Sequence, residues 1–328
     1  MRPPEFWKAD AGGRDAVVAL RLLLEPVSWV YAWAAARRQR TTRPRHAGVP
    51  VVCVGNFTVG GAGKTPVTRA LRAALGPKAH TLSRGYGGRL TGPLRVTPDM
   101  HAIDVGDEPL LHASDGEAWI ARDRVAGAHA AAQAGAHAIL MDDGFQNPNL
   151  AKDLSIVVVD PAFGVGNGRV FPAGPLRERL ADGLTRADAI VLLQSGAEGE
   201  TAVPDWLADF RKPILKARLE PLGAAPTGKL VAFAGLARPE KFFDTLAGLG
   251  AEVVDAVPYG DHHAYSTDDL DFLARLAGER GAQLITTEKD AARLSPDWRA
   301  CVATLPVTAR FADAGALDAL LAPIRARM

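Results

Sequence analysis

The stretch Val51-Val-Cys-Val-Gly-Asn-Phe-Thr58-Val59-Gly60-Gly61-Ala62-Gly63-Lys64-Thr65-Pro66 carries the clearest chemistry in this 328-residue chain. An apolar, β-rich run enters a glycine-rich loop, and Gly63-Lys64-Thr65 then opens a helix. The backbone N–H groups of Thr58, Val59, Gly60, Gly61, Ala62 and Gly63 can turn around phosphate oxygens. Lys64 would reach the β- and γ-phosphates, and Thr65 would bind Mg²⁺. The spacing is that of a nucleotide-binding P-loop with one departure: its first position is Thr58, where glycine is usual.

A metal on a nucleotide needs carboxylates. Ala138-Ile-Leu-Met-Asp142-Asp143 is an apolar strand ending in two acids, the form expected of a Walker B strand. A second strand, Ser155–Asp160, also ends in an acid, which reads as a strand-end cap. Phosphoryl transfer to an alcohol further needs a group to receive the hydroxyl proton. Asp107, in Gly106-Asp-Glu-Pro109, and His262, in Gly260-Asp-His-His-Ala-Tyr265, are candidates. Taken alone, each reads more simply as part of a surface turn or a helix cap.

These residues must be held by alternating strands and helices. Apolar β-rich runs lie at Val49–Val54, Ala136–Met141, Ser155–Asp160 and Asp188–Leu193, with helical stretches at Thr65–Leu75 and Glu117–Ala134. Continuous apolar strands between helices predict an α/β fold with a parallel sheet covered on both faces. Prolines and glycines in Ser195–Gly228 break the rhythm. The αβ pattern then resumes at Leu230–Ala234, Pro239–Leu249, Glu252–Val257, Asp268–Arg280 and Gln283–Thr286. The expected organisation is an N-terminal membrane-associated segment (1–45), a P-loop core (46–215) and a smaller C-terminal α/β domain (216–328).

The N-terminal segment is unusual. Val17–Ala36 approaches the ~20 residues needed to span a bilayer, yet Arg21, Glu25 and Pro26 interrupt it. Trp7, Trp29, Tyr31 and Trp33 suit a water–lipid interface, and five arginines follow at positions 37–45. This pattern reads as a helix lying in or against an anionic leaflet, the alternative being a hairpin packed on the protein's own core. No cleavable signal peptide is read around Glu5, Asp10 and Asp15.

Charge is as uneven as hydropathy. Lys plus Arg total 38 and Asp plus Glu 37, for a net charge of +1. Between Glu25 and Asp99 there is no acid but twelve bases, so the remainder carries 26 bases against 37 acids, or −11. Near-neutrality argues against a dominant nucleic-acid surface, while the acid-free segment points to an anionic partner. With 48% hydrophobic residues the chain is neither disordered nor polytopic. Cys53 and Cys301 give no disulfide framework or zinc spacing, which fits a reducing cytosol.

Taken together, the motifs resemble a known family. They are Gly55-Asn56 with Gly60-Gly-Ala-Gly-Lys-Thr-Pro66, Ser83-Arg-Gly-Tyr-Gly-Gly88, Gly106-Asp-Glu-Pro109, Asp142-Asp-Gly-Phe-Gln146, Gly166-Asn-Gly168 and Pro172-Ala-Gly-Pro-Leu-Arg-Glu178. The second half adds Ala232-Phe-Ala-Gly235, Arg238-Pro-Glu-Lys-Phe242, Asp261-His-His263 and Thr286-Thr-Glu-Lys-Asp290. In this order they resemble the tetraacyldisaccharide 4′-kinases, the lipid A 4′-kinase family, over nearly the whole chain. The resemblance implies transfer of phosphate from ATP to the 4′-hydroxyl of a tetraacyldisaccharide 1-phosphate, with Mg²⁺. It places the protein, peripheral or monotopic, on the cytoplasmic face of a Gram-negative inner membrane.

The resemblance also implies roles. Asp107 would be the base, with His262 raising its effectiveness. Thr65, Asp142, Asp143 and Glu178 would surround Mg²⁺, and Arg84, Tyr86 and Arg177 would lie near the lipid or its phosphate. The family motif often ends Gln-His, whereas this chain has Asn147. The expected partners are the lipid substrate and an anionic membrane surface; nothing points to nucleic acid or to an obligate protein partner. The competing reading is a membrane-associated P-loop NTPase switch without a small-molecule acceptor. The guanine-reading Asn-Lys-x-Asp of a GTPase is absent, the nearest string being Thr287-Glu-Lys-Asp290.

Overall fold

The structure, a computed structural model, describes residues 4–8, 15–195 and 202–328. In chain order the first elements are α1 (Asp15–Thr41), β1 (Val51–Gly55), α2 (Lys64–Leu75), β2 (Ala79–Ser83), β3 (Leu94–Val96), α3 (Ala102–Val105) and α4 (Asp107–Asp115). Then come β4 (Ala118–Ile120), α5 (Arg124–Gln133), β5 (Ala138–Asp142), β6 (Leu154–Val159), α6 (Leu180–Arg186), β7 (Ala189–Ser195) and β8 (Ile214–Pro221). The last part holds β9 (Lys229–Ala234), α7 (Glu240–Gly248), β10 (Glu252–Pro258), α8 (Thr267–Arg280), β11 (Gln283–Thr287), α9 (Glu288–Ala291), α10 (Pro296–Cys301), β12 (Ala303–Leu305), β13 (Val307–Phe311) and α11 (Ala314–Arg325).

Two sheets form. The larger has the order β13-β8-β7-β6-β1-β5-β2-β4-β3 and is parallel except at its edges, where β3 and β13 run antiparallel to their neighbours. Every residue of β1 is buried, and alternate residues feed two cores. Val51 and Cys53 pack with Val125, Ala128 and Ala131 of α5. Val52 and Val54 pack with Val67 and Leu71 of α2 and with Leu317 and Leu321 of α11. Leu71 and Leu321 are fully enclosed, so truncating either to Ala should cost about 2–5 kcal/mol. The smaller sheet, β10-β9-β11-β12, is covered by α8 on one face and α7 on the other.

The sheets do not divide the chain at residue 216. Strand β8 spans that position and pairs with β7, and β13 and α11 return to the large sheet after the small one is complete. Only β9 through β12 build the smaller sheet. Of the expected linker, residues 196–201 lie outside the described residues, as does Asp10 near the N-terminus. The helix expected over Glu117–Ala134 is also corrected. Ala118–Ile120 pairs with β2 on one side and with β3, the edge strand, on the other. The helix starts only after Asp123, whose side chain accepts from Val125 N and Ala126 N.

Helix α1 turns a polar stripe towards the protein. Arg21 donates to the Phe6 carbonyl, Glu25 pairs with Arg169, Ser28 Oγ accepts from Ala173 N at 3.0 Å and Gln39 donates to the Gln146 carbonyl. Arg21 and Glu25, two of the residues that interrupt the apolar run, are thus among those that dock the helix. Leu22, Leu23, Trp29, Val30 and Trp33 are left exposed on it. No helix among the described residues is long and apolar enough to cross a membrane.

Candidate active site

Strand β1 delivers the chain to the P-loop at its carboxyl end, where ligands bind in open α/β sheets. Gly55 lies so close to Phe145 that a Cβ would fall 2.3 Å from Phe145 Cβ. Gly63, just before α2, has φ +75° and would place a Cβ 2.3 Å from Leu193 Cδ2. No such demand falls on Thr58. It sits in an isolated antiparallel bridge with Leu176, and Val59 N donates to the Pro175 carbonyl at 2.7 Å. That is why the first motif position tolerates a side chain here. Asn56 ties the loop together, donating to the carbonyls of Thr58 and Gly60. Lys64 Nζ lies 3.3 Å from Asn56 Oδ1 and 3.6 Å from Asp143.

The residues expected around Mg²⁺ fall into three groups. Thr65 Oγ1 stands 3.3 Å from Asp142 Oδ2. Asp143, at φ +52°, faces Lys64 and is forked by Arg177 at 2.7 and 3.3 Å. Burial opposes the Asp143 charge, but Lys64 and Arg177 hold its carboxyl below the usual range. Glu178 is engaged by Gln146 at 3.0 Å and Arg186 at 2.5 Å. Among the described residues no three His, Cys, Asp or Glu side chains converge as a metal cage, and Asp143 and Glu178 are paired with cations. Asp142 differs: its Oδ1 is enclosed and has no hydrogen-bond partner among the described residues. Thr65 and Asp142 fit a hard cation that takes one or two protein oxygens and completes its shell with phosphate and water.

Helix α4 links this corner to the candidate base. His112 on α4 brings Nε2 to 2.8 Å from Asp142 Oδ2, both side chains being buried. Asp107 opens the same helix, about 7.5 Å of helical rise away. His262 reaches Asp107 from the loop after β10, with Nδ1 3.2 Å from Oδ2. Two cations of the Thr286-to-Asp290 region and beyond join them. Arg293 Nε stands 3.0 Å from Asp107 Oδ2, and Lys289 lies 3.9 Å from Asp107 and 3.0 Å from Glu108. Arg293 is in turn fixed by Asp290 and the Gly235 carbonyl. Burial would raise the Asp107 pKa, but the His262 hydrogen bond and the Lys289 and Arg293 charges hold it well below the carboxylate range.

The other candidates take up varied places. The Tyr86 ring, largely exposed, meets the His262 ring edge-on at 5.9 Å. Arg84 is exposed at the carboxyl end of β2. Arg177 serves the P-loop, donating to the Thr58 carbonyl as well as Asp143. Asn147 caps a turn through Asn149 N and Leu150 N. Three residues contact the candidate acids directly without having been given a role from sequence: His112 and Arg293, which no motif included, and Lys289 of the Thr286-to-Asp290 motif. The acid-free segment is also less uniform than its sequence suggests. Arg69 pairs with Asp115 and Glu288, and Arg95 with Glu117, so part of its charge meets acids from elsewhere in the chain.

Known proteins resemble this chain in sequence and fold. The family model described as LpxK, tetraacyldisaccharide-1-P 4′-kinase, matches residues 20–325. A protein of Hyphomonas neptunium named tetraacyldisaccharide 4′-kinase is 53% identical, covering 99% of this chain and 98% of that one. One of the same name from Maricaulis maris is 54% identical over 98% of this chain and 96% of its own. A crystal structure of LpxK from Aquifex aeolicus in complex with ATP is 28% identical with a TM-score of 0.76, and the match covers 93% of this chain and 99% of that one. With a P-loop and an Asp–His pair set at one corner of the large sheet, and with matches running nearly end to end, the chain belongs to the tetraacyldisaccharide-1-P 4′-kinase family.

Proposed function

We propose that the chain transfers the γ-phosphate of ATP to the 4′-hydroxyl of a tetraacyldisaccharide 1-phosphate, forming the 4′-phosphate of a lipid A precursor. The observation that carries this reading is the link through α4 between the P-loop corner and the Asp107–His262 pair, which supports a proton acceptor beside a phosphate cradle. The loop N–H groups from Thr58 to Gly63 and Lys64 bind the nucleotide phosphates. Arg177 keeps Asp143 and the start of the loop in place. Asp107 accepts the hydroxyl proton, and His262 orients that carboxylate, so that the two titrate as a unit. A carboxylate held this acidic takes the proton late, once bonding to phosphorus has acidified the hydroxyl. Thr65 and Asp142 would hold Mg²⁺, which when bound neutralises charge on the β- and γ-phosphate oxygens.

The exposed apolar side of α1 supports a peripheral seat on an anionic bilayer, at the cytoplasmic face of the inner membrane. An acylated acceptor stays in the bilayer, so the enzyme must come to it. Arg84 and Tyr86 would meet the lipid phosphate and sugar; the contact of the Tyr86 ring with His262 supports this for Tyr86. ATP consumption by the purified protein, with and without the lipid in mixed micelles, tests the reading. A kinase consumes ATP only when lipid is present, whereas a P-loop switch hydrolyses it at the same rate without lipid.

A further inference from the structure

A cavity of about 440 Å³ opens at the amino ends of β2, β4 and β5, the edge of the large sheet opposite the P-loop. Arg72, Lys78, His80, Arg95, Asp115 and Glu117 line it. Their charges are unevenly matched. Asp115 is taken by Arg69 at 2.5 Å, and Glu117 by Arg95 at 2.5 Å. Arg72 is only 8% exposed, and its one hydrogen bond to a described residue runs from Nε to the Ala79 carbonyl at 3.2 Å. Lys78 has no ion pair among the described residues. His80 is 4% exposed, and its Nδ1 is enclosed without a partner among the described residues.

The backbone makes room for the guanidinium. A Cβ on Gly116 would lie 1.8 Å from Arg72 Nη2. Burial lowers the His80 pKa, Glu117 opposes this, and Arg72, Lys78 and Arg95 lower it further, which favours the neutral ring with its single N–H donor. A buried guanidinium, a free ammonium and a neutral imidazole around one polar cavity are the donor set for a phosphoryl oxyanion. We propose that this cavity binds a soluble phosphomonoester through Arg72, Lys78 and His80. It is separate from the nucleotide site: β2 and β5 each run five residues between the two edges, roughly 15 Å. A lipid-borne phosphate is disfavoured because α1 packs by the carboxyl-end loops, through Gln146 and Ala173.

The test uses the full chain with isotope-labelled histidine, titrated with inorganic phosphate against sodium chloride of equal ionic strength. The His80 ring resonance, assigned with His80→Gln, is expected to move and saturate with phosphate and to stay put with chloride. Lys78 is exposed, so Lys78→Ala should fold normally and weaken the response by about threefold or more. Lys64→Ala, which disables phosphate binding at the P-loop, should leave the response intact. The proposal is overturned if the His80 ring is silent to phosphate, responds equally to chloride, is unaffected by Lys78→Ala, or loses its response in Lys64→Ala.

Discussion

His262 Nδ1 stands 3.2 Å from Asp107 Oδ2, although the two residues hang from different sheets. Asp107 opens α4 beside the large sheet, and His262 follows β10 of the small one. Catalysis by this pair therefore depends on how the two sheets sit together. Replacing Asp107 by Asn is expected to lower turnover by about 10²–10⁴-fold, the contribution of a positioned base, with ATP affinity little changed. His262→Ala should cost less, because the carboxylate remains. Steady-state phosphate transfer and nucleotide titration on the same preparations separate the two effects.

Arg293 holds the same carboxylate and is itself held by Asp290 and the Gly235 carbonyl. Arg293 and Asp107 are both buried. Arg293→Ala should therefore destabilise the fold by about 3–5 kcal/mol, since it takes a buried cation from two buried carboxylates, Asp107 and Asp290. Denaturant unfolding reads this directly. A loss below ~1 kcal/mol would mean that Asp107 is solvated some other way.

The same contacts set a pH dependence. The folded-state pKa of Asp107 is depressed below its ordinary value of 3.8, as is that of Asp143. A depressed carboxylate adds stability that is fully present above the unfolded-state pKa and is lost as pH falls towards the folded-state value. Stability should thus hold steady at neutral pH and decline below about pH 4. Asp107→Asn should flatten part of that acid limb in unfolding measurements across pH 2–7.

Helix α1 exposes Leu23, Trp29 and Trp33 while Ser28 and Ala32 are buried. Changing the three exposed residues to Glu should abolish binding to anionic vesicles and shift unfolding free energy by no more than ~0.5 kcal/mol per site. ATP binding should survive, because the P-loop touches none of them. Vesicle co-sedimentation that is unchanged in the triple variant would show that α1 is not the membrane contact.

Much of this was legible in sequence because it is local. The P-loop, the buried strands β1, β5 and β6 and the capped helix α8 follow from adjacent residues and their period. Strand β4 was not, because three residues before an Asp cap carry no period of their own and blend into the helix that follows. Strand β13 and α11 read as part of a second domain because nothing near them in sequence marks their return to the first sheet. His112, Lys289 and Arg293 were missed for a related reason. His112 and Arg293 stand among apolar neighbours and Lys289 in a polar run that carried no assigned role. The packing of α4 on the large sheet turns His112 towards Asp142, and that of α9 against α4 brings Lys289 and Arg293 to Asp107.

The central claim is phosphoryl transfer to one hydroxyl with Asp107 as the proton acceptor. Phosphorus NMR of the lipid after incubation with Mg-ATP, using the native chain and Asp107→Asn side by side, tests it most directly. The native protein should add one phosphomonoester at the 4′ position for each ADP formed, and Asp107→Asn should add almost none. ADP accumulating without a 4′-phosphate, or Asp107→Asn working at the native rate, would contradict it.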